Sequence, residues 1–359
     1  MAAIVDPFEA RLLPTGALRI ALVVPVSGVL GMVGPCAINC ALLAADELNT
    51  VGGVLGRPVE LVLVDGGRAA RAVAAEVSGL VGAKAVHAVV GTHASDVRLA
   101  VVRAIGGRVP FVYAPPYEGG GHAPGVYFLG ETPGRQLEPG IEWLVGARGA
   151  RRWFLLGNDY VWPRLVHRSA RTRLRARGAA VVGERFVRYG EAARWLDRVA
   201  DARPDAILLT LIGSDLVAFN RAYAAAGLGS ARLCGALEEH GLLAIGGDGT
   251  GELYASMGYF RGLGTDASVD FAERYAGRFG PDAPMLNAHG QGCYEAVAMF
   301  AALAGRAGTL AVPAVDAVAD GTTITSARGP LTLVNRQVRQ RVHLGRADGL
   351  DFFLQKSFH

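Results

Sequence analysis

Lysine is scarce in this sequence: only Lys84 and Lys356 accompany the arginines that make up the rest of its 36 basic residues. No glycine-rich loop therefore carries the lysine with which a P-loop holds nucleotide phosphates. Residues 246–251 are rich in glycine, but they neither follow a clear strand nor open a helical pattern. These absences argue against a nucleotide-phosphate site.

Motifs of common hydrolases and metalloenzymes are also absent. The chain contains no Gly-x-Ser-x-Gly turn that would present a serine nucleophile, and no His-Glu-x-x-His pair that would hold zinc. Glu238, Glu239 and His240 are adjacent, so on a helix their side chains would diverge, which favours a helix-start role over a metal site. We expect neither a catalytic set nor a metal or other cofactor.

Cysteine is rare, and its spacing excludes a zinc site. The four cysteines are Cys36, Cys40, Cys234 and Cys293. Cys36 and Cys40 lie one helical turn apart, which favours small buried hydrophobic side chains over metal ligands. A reducing compartment fits this pattern.

A secretory leader and long apolar runs are not evident either. The first 16 residues contain Asp6 and Glu9, where a signal peptide needs a basic start and an apolar core. No run of 18 apolar residues occurs, so no membrane insertion is expected. The expected location is cytoplasmic, or periplasmic if a leader was removed.

Charge of one sign is not concentrated enough to predict a nucleic-acid partner. The formal charge is only +4. The densest basic stretch, residues 164–177, interleaves arginines with Leu165, Val166 and Leu174, which is typical of the wet face of an amphipathic helix. We expect no direct contact with nucleic acid from this face.

Length and hydrophobicity predict a folded chain of two domains. The 359 residues are 51% hydrophobic and 19% charged, which excludes general disorder, and the length exceeds one typical core. Apolar runs alternate with helical periods in two successive series, one before about residue 130 and one after it. This pattern predicts an α/β fold with two doubly wound parallel sheets.

Polar turns follow several predicted strands in the first series. The strand Val86–Val90 leads into Thr92, His93 and Ser95, and a helical period begins there. Ligands of open α/β sheets bind beyond the carboxyl ends of the strands. The other candidates at the same edge are Ser27 after the first strand and Tyr113, Ala114, Pro115 and Tyr117 in the stretch that ends the fourth strand.

The second series offers a matching pair of turns. Asn158 to Pro163 follow its first strand and carry two aromatic residues, Tyr160 and Trp162. Tyr160 is the predicted ligand contact, and packing of both rings on the lobe beneath is the alternative. Asp215 follows the third strand and is a further candidate, with capping of a helix by Ser214 or Asp215 as its alternative.

Several segments resemble one receptor family. Residues 48–59, LNTVGGVLGRPV, are similar to type I periplasmic-binding-protein-like receptors of the branched-chain amino acid class. Three shorter segments resemble the subgroup that contains the amide sensor of the amidase operon and the urea- and short-chain-amide-binding proteins of ABC importers: Tyr117–Gly119, Asp159–Arg164 and Gly329–Thr332. The resemblance spans about residues 18–348.

The resemblance implies two lobes joined by a three-crossing hinge and a ligand held in the cleft. The α/β pattern breaks near residues 130–135, 256–262 and 325–331, which predicts crossings between the lobes there. Lobe 1 would then comprise residues 17–130 and 262–326, and lobe 2 would comprise residues 131–261 and 327–359. Ser95 would hydrogen-bond the ligand from the first lobe and Tyr160 would meet it from the second. This chain departs from the amide-binding pattern at Ala114, where a hydroxyl residue is usual, and at His93, where a phenol is common.

The leading hypothesis is a non-enzymatic protein that closes on a small neutral amide-like, urea-like or amino-acid-like ligand. Its expected partner is an RNA-binding antitermination regulator, if the protein is a cytoplasmic sensor, or an ABC permease, if it is a transport component. Homo-oligomers are left open. The alternative is a hydrolase of a small amide or sugar that uses His93 or Glu118, although no nucleophile paired with an oriented base is evident.

Overall fold

The computed structural model describes residues 2–120 and 123–358. Its strands, numbered β1 to β16 in chain order, are Ile4–Val5, Leu18–Val24, Val59–Asp65, Ala88–Gly91, Phe111–Tyr113, Val126–Phe128, Arg152–Asn158, Ala180–Val187, Ala206–Thr210, Ala231–Cys234, Leu253–Met257, Thr323–Ser326, Gly329–Val334, Gln337–Val338, Val342–Asp348 and Asp351–Phe358.

Helices follow most of the strands. Numbered α1 to α13 in chain order, they are Pro7–Leu12, Gly34–Thr50, Ala70–Gly82, Ser95–Ile105, Pro133–Gln136, Glu138–Ala147, Val161–Ala176, Leu196–Asp201, Gly213–Ala225, Glu239–Ile245, Asp266–Phe279, Ala288–Ala307 and Val312–Val318. Two short 3-10 turns, Gly31–Val33 and Ala192–Trp195, precede α2 and α8.

The chain divides into two compact units. The first contains Met1–Pro115, Gly120–Gly130 and Gly264–Gln340, and the second contains Pro116–Gly119, Glu131–Leu263 and Arg341–His359. Each unit has its own sheet of mostly parallel strands with helices between them, so the predicted α/β class with two doubly wound sheets is confirmed.

The first unit is built on a nine-stranded sheet in the order β1-β3-β2-β4-β5-β6-β14-β13-β12. Strands β1 to β6 pair in parallel. All seven residues of β2 are buried, because helices cover both faces of a sheet built from parallel crossovers. The carboxyl ends of β2, β3, β4 and β5 therefore meet at one edge.

Helices α2 and α12 close one side of the first core. A Cβ atom on Gly290 of α12 would lie 2.3 Å from Sγ of Cys36 on α2. Only glycine allows the two helices to approach so closely. Cys36 and Cys40 are free thiols, their Sγ atoms are 4.0 Å apart, and both are fully buried, as the sequence predicts.

The second unit contains a seven-stranded sheet in the order β16-β15-β11-β10-β9-β7-β8. Strands β7 to β11 pair in parallel, and β15 and β16 add antiparallel strands beside β11. The core includes Trp153, whose indole N–H donates to the carbonyl of Ala150 at 3.1 Å. As in the first unit, the turns that follow the parallel strands share one edge.

The structure differs from the expected lobe boundaries near the end of the chain. The sequence prediction assigns residues 327–359 to lobe 2, whereas residues 327–340 belong to the first unit. The reason is strand pairing: β13 pairs with β12, and β14 pairs with both β13 and β6. The chain enters the second unit for its last segment only after Gln340.

No single helix in the described part of the chain is long and apolar enough to span a membrane. One pair, Ala288–Ala307 and Val312–Val318, meets the length and composition test jointly, but it is bent by 96° at the break.

A buried ion pair in the second unit gives a test of this core. Arg232 and Asp248 are 2.7 Å apart, and their side chains are 0% and 1% exposed. We expect Asp248→Ala to lower the free energy of unfolding by about 3 kcal/mol or more, because the guanidinium stays buried without its carboxylate. Denaturant unfolding followed by circular dichroism measures this loss.

The matched control is Arg188→Ala, which removes an ion pair with Glu191 from a side chain that is 83% exposed. Its expected cost is below about 1 kcal/mol. Equal costs for the two variants would mean that the Arg232–Asp248 pair does not stabilise the second unit.

Candidate functional site

The candidate site residues of the first unit lie at the carboxyl edge of its sheet. Strand β2 pairs in parallel with both β3 and β4, and β4 pairs in parallel with β5. Consequently Ser27, which follows β2, lies at the same edge as Ser95, which follows β4. The structure thus confirms the strand directions on which this prediction rests.

Ser27 forms a hydrogen bond with Asp65, the last residue of the neighbouring strand β3. Its hydroxyl donates to the carboxylate of Asp65 at 2.5 Å, and the N–H groups of Val26 and Gly67 donate to the same carboxylate. Partial burial opposes ionisation, but the hydrogen bonds from Ser27 and the backbone hold the pKa of Asp65 below its usual value. Ser27 therefore offers a ligand only its lone pairs.

His93 and Thr92 occupy the turn after β4, and both are buried. Thr92 Oγ1 lies 3.3 Å from Nδ1 of His289 on α12. Nδ1 of His93 lies 3.2 Å from the carbonyl of Ala94, so this nitrogen carries the proton. Within the described residues Nε2 of His93 has no hydrogen-bond partner. The imidazole therefore presents an unused acceptor.

The electrostatic state of His93 follows from its burial. Its ring stacks on Phe111 at 6.0 Å and tilts against Tyr113 at 5.1 Å. Burial lowers the pKa of His93 to about 4, and the nearby charge of Arg98 acts in the same direction. The imidazole is neutral near pH 7, which keeps the lone pair of Nε2 available.

Ser95 is the first residue of α4 rather than its cap. The N-cap position is Ala94, whose side chain makes no cap hydrogen bond, while Oδ1 of Asp96 accepts from the N–H of Val97 at 2.9 Å. A helix that begins without a cap leaves backbone N–H donors at its positive end. The Ser95 hydroxyl adds one more polar group there, on a residue that is 2% exposed. Ser95 therefore does not act as the cap of α4.

Tyr113, Ala114 and Pro115 support the turn from beneath. The hydroxyl of Tyr113 donates to the carbonyl of His93 at 2.6 Å, so its proton is already used. Ala114 belongs to the hydrophobic core, where its Cβ would be 3.3 Å from a Cβ placed on Gly292. Pro115 is buried as well. These three residues hold the turn in place.

Tyr117 belongs to the second unit, although the sequence groups it with the strand β5. Its backbone N–H donates to the carbonyl of Glu131 at 3.0 Å. Its ring is fully buried. The pairing with Glu131 explains the assignment, because that residue begins the long segment of the second unit.

Tyr160 lies at the carboxyl edge of the second sheet. It occupies the N-cap position of α7 with an extended backbone and does not cap the helix with its side chain. Its half-buried ring lies 6.3 Å from both Trp162 and Tyr189. Trp162 is buried, and its indole N–H has no partner within the described residues. The turn therefore combines an aromatic surface with an unused donor.

Asp215 joins three turns of the same edge. It is buried and accepts hydrogen bonds from the side-chain amide of Asn158 at 2.7 Å and from the N–H of Gly190 at 3.0 Å. The alternative that Ser214 or Asp215 caps the helix is wrong, because the N-cap of α9 is Ile212 and no side chain caps it. Asp215 connects the loops after β7, β8 and β9.

Glu239, which the sequence places at a helix start and not among the candidate ligand contacts, is a further buried polar residue of this unit. Glu238 caps α10 by accepting from the N–H groups of His240 and Gly241, which confirms the predicted helix-start role. Glu239 is buried, its Oε1 accepts from the N–H of Arg261 at 2.6 Å, and its Oε2 has no partner within the described residues. Burial raises the pKa of Glu239 to about 8. Two adjacent acids after a buried strand are the signal that could have identified it.

A hydroxyl–imidazole–carboxylate relay also lies in the second unit. His167 Nε2 is 2.9 Å from Oγ1 of Thr210, and its Nδ1 is 3.1 Å from Glu184. The sequence gives no hint of this set because its members are far apart. Thr210 and His167 are both 0% exposed, so no substrate reaches the hydroxyl. The relay fastens α7 to β8 and β9.

Metal chemistry finds no support in the described residues, where no group of three or more histidine, cysteine, aspartate or glutamate side chains could hold an ion.

The buried neutral His93 makes the first unit sensitive to acid. Its pKa is about 4 in the folded protein against 6.5 for the free side chain. The contribution of the neutral ring to the free energy of unfolding is fully present above pH 6.5. It is lost as the pH falls towards 4. Between pH 7 and pH 4 the parent should lose roughly 3 kcal/mol of its free energy of unfolding through this ring, and we expect His93→Gln not to show this decrease.

Unfolding of the parent and of His93→Gln in guanidinium chloride at pH 7, 5.5 and 4 measures the difference, because urea is itself a candidate ligand. The matched control is His240→Gln, which replaces a half-buried histidine of the second unit. If the parent and His93→Gln lose stability in parallel on acidification, the ring of His93 is not held neutral by the fold.

Known structures give the architecture a wider context. Residues 17–351 match a family model described as periplasmic binding protein. A leucine-binding protein from Thermotoga maritima is similar with a TM-score of 0.84 at 19% identity, over 96% of this chain and 99% of that one. An isoleucine complex of a branched-chain amino acid transporter substrate-binding protein from Streptococcus pneumoniae gives 0.82 at 17% identity, over 95% and 98%.

A third similar structure is an ABC-transporter solute-binding protein from R. palustris in complex with benzoate. Its TM-score is 0.81 at 18% identity, over 95% of this chain and 96% of that one. At identities below 20% these three structures show similarity of fold only. The family match, in contrast, covers nearly the whole sequence. The chain belongs to the periplasmic binding protein family.

Proposed function

We propose that this protein is a non-enzymatic solute-binding protein whose ligand is a small amide-, urea- or amino-acid-like molecule. The proposal is supported by Nε2 of His93, which has no partner among the described residues and lies two residues before Ser95, and by a helix α4 whose N-cap side chain makes no hydrogen bond. An amide or urea carries both an N–H donor and a carbonyl oxygen. The imidazole accepts from the former, and the Ser95 hydroxyl and helix N–H groups donate to the latter.

A neutral ligand suits the second unit better than a zwitterion. An α-ammonium group needs an available carboxylate, but both oxygens of Asp215 already accept from Gly190, and one also accepts from Asn158. Glu239 has a free oxygen, but with a pKa of about 8 it is mostly protonated at pH 7. A neutral carboxyl group donates to a ligand oxygen instead of pairing with a cation.

The proposed role is delivery of the bound solute to an ABC permease. Two of the similar structures are described as transporter substrate- or solute-binding proteins, which supports this role by analogy of fold. A sensor that restrains an RNA-binding antitermination regulator is the second candidate, favoured by the Asp159–Arg164 segment and its likeness to the amide sensor. Both roles share the same binding step.

The first expected outcome concerns Ser95. Replacing Ser95 by alanine removes one hydrogen bond to the ligand while the fold stays intact, because the hydroxyl caps nothing. We expect binding of acetamide or urea, measured by calorimetry, to weaken about 5- to 30-fold. Tyr160→Phe tests the second unit in the same way.

Ser78→Ala is the matched control for Ser95→Ala. The hydroxyl of Ser78 donates to the carbonyl of Ala104, near the opposite end of α4, so its loss leaves the carboxyl edge unchanged. Equal affinities for Ser95→Ala and Ser78→Ala would remove Ser95 from the binding site.

The second expected outcome concerns the proton on Glu239. Binding of a neutral amide at pH 7 releases no proton, so its calorimetric enthalpy is the same in phosphate and in Tris buffer. Binding of leucine through its ammonium group would lower the pKa of Glu239 and release a proton, which makes the enthalpy depend on the buffer. We expect buffer-independent amide binding, and an affinity in Glu239→Gln within about threefold of the parent.

The alternative, leucine binding, has its own calorimetric signature. Tight leucine binding with proton release that disappears in Glu239→Gln would identify a zwitterionic ligand and exclude the neutral class. Turnover assays with acetamide and urea separate either kind of binding from hydrolysis.

A further inference from the structure

One cavity lies on the second unit, away from the carboxyl edge of its sheet. Its volume is about 340 Å³, and it is lined by Pro139, Glu142, Trp143, Arg177, Lys356 and Phe358. Arg177 follows the last residue of α7, whereas Tyr160 precedes the first. Sixteen helical residues span about 24 Å, so this cavity and the Tyr160 turn are separate places.

Three of the six lining residues are charged, and the other three, Pro139, Trp143 and Phe358, form the apolar part of the wall. Pro139 and Trp143 are four residues apart on α6, so they share one face of that helix. Trp143 is held in place by the ring of Tyr254 at a centroid distance of 5.5 Å. Phe358 at the end of β16 adds a second ring. Two aromatic side chains around one cavity favour a flat apolar ligand.

The charges of the cavity do not cancel. The one acidic residue, Glu142, is already paired with Arg173 at 2.9 Å and with Arg177 at 2.9 Å. Lys356 is exposed, and no carboxylate within residues 2–120 and 123–358 pairs with it. Its ammonium group lies 5.9 Å from the ring of Phe358. Among the described residues, the cavity therefore combines two aromatic side chains with a cation that pairs with no carboxylate.

We propose that this cavity binds a small aromatic anion. The ring of the ligand packs against Trp143 and Phe358, and its anionic group pairs with Lys356. A cation beside aromatic faces recognises a planar anion because the ring contributes buried area and the charge fixes orientation. A carboxylate and a phosphate ester offer this same chemistry, and the experiment tells the two apart.

The experiment follows the indole N–H signals of the isotopically labelled full chain. The chain has four tryptophans, and the signal of Trp143 is the one missing from Trp143→Phe. The probes are 2-naphthoate, 2-naphthyl phosphate and the neutral 2-naphthamide. We expect at least one of the two anions to shift the Trp143 signal saturably, and the amide to bind at least 10-fold more weakly.

Two charge variants locate the anion. We expect Lys356→Gln to weaken binding of the anion about 5- to 10-fold. The matched control, Arg175→Gln, removes an equal charge from an exposed position of α7 outside the cavity, and it should leave the affinity unchanged. Both positions are on the surface, so neither variant threatens the fold.

Three results would overturn the proposal. The first is the absence of any Trp143 shift with either anion, and the second is a shift confined to Trp162, which would place the ligand at the Tyr160 turn. The third is an equal loss of affinity in Lys356→Gln and Arg175→Gln, which would indicate a general charge effect. The proposal does not depend on the amide-binding function, which the Ser95 variant tests separately.

Discussion

The parallel pairing of β2 with both of its neighbours is the constraint on which the first unit depends. Parallel neighbours cannot be joined by a tight turn, so each strand returns through a helix, and the helices cover both faces of the sheet. This explains why β2 is apolar at nearly every position and buried at all of them. It also brings the strand-to-helix turns of these strands to one edge, where the polar side chains of Thr92, His93 and Ser95 lie.

At that edge most polar groups are satisfied by one another. Tyr113 donates to the backbone of His93, Ser27 donates to Asp65, and in the second unit Asp215 accepts from Asn158. Such pairs order the loops before any ligand binds, and this lowers the entropic cost of binding. Within the described residues the exceptions include Nε2 of His93, Oε2 of Glu239 and the indole N–H of Trp162. Buried polar atoms without partners are rare in folded proteins.

Strand direction and the two-sheet class could be predicted from the sequence because they follow from apolar runs separated by helical periods. The turn after β4 was located for the same reason. The roles of Tyr113 at this turn and of Asp215 in the second unit were not predictable, because their partners are the carbonyl of His93 and the N–H of Gly190, each at least 20 residues away in the chain. The assignment of residues 327–340 failed similarly: the pairing of β14 with β6 joins segments about two hundred residues apart.

The scarcity of lysine has a practical consequence for measuring motion. Lys84 lies in the first unit and Lys356 in the second, so an amine-reactive dye modifies a single side chain in each unit. The α-amino terminus has a much lower pKa than lysine, and a choice of labelling pH separates it from the two side chains. The native sequence thus carries its own pair of attachment points for fluorescence energy transfer, with no engineered cysteine and with all four natural thiols sealed in the interior.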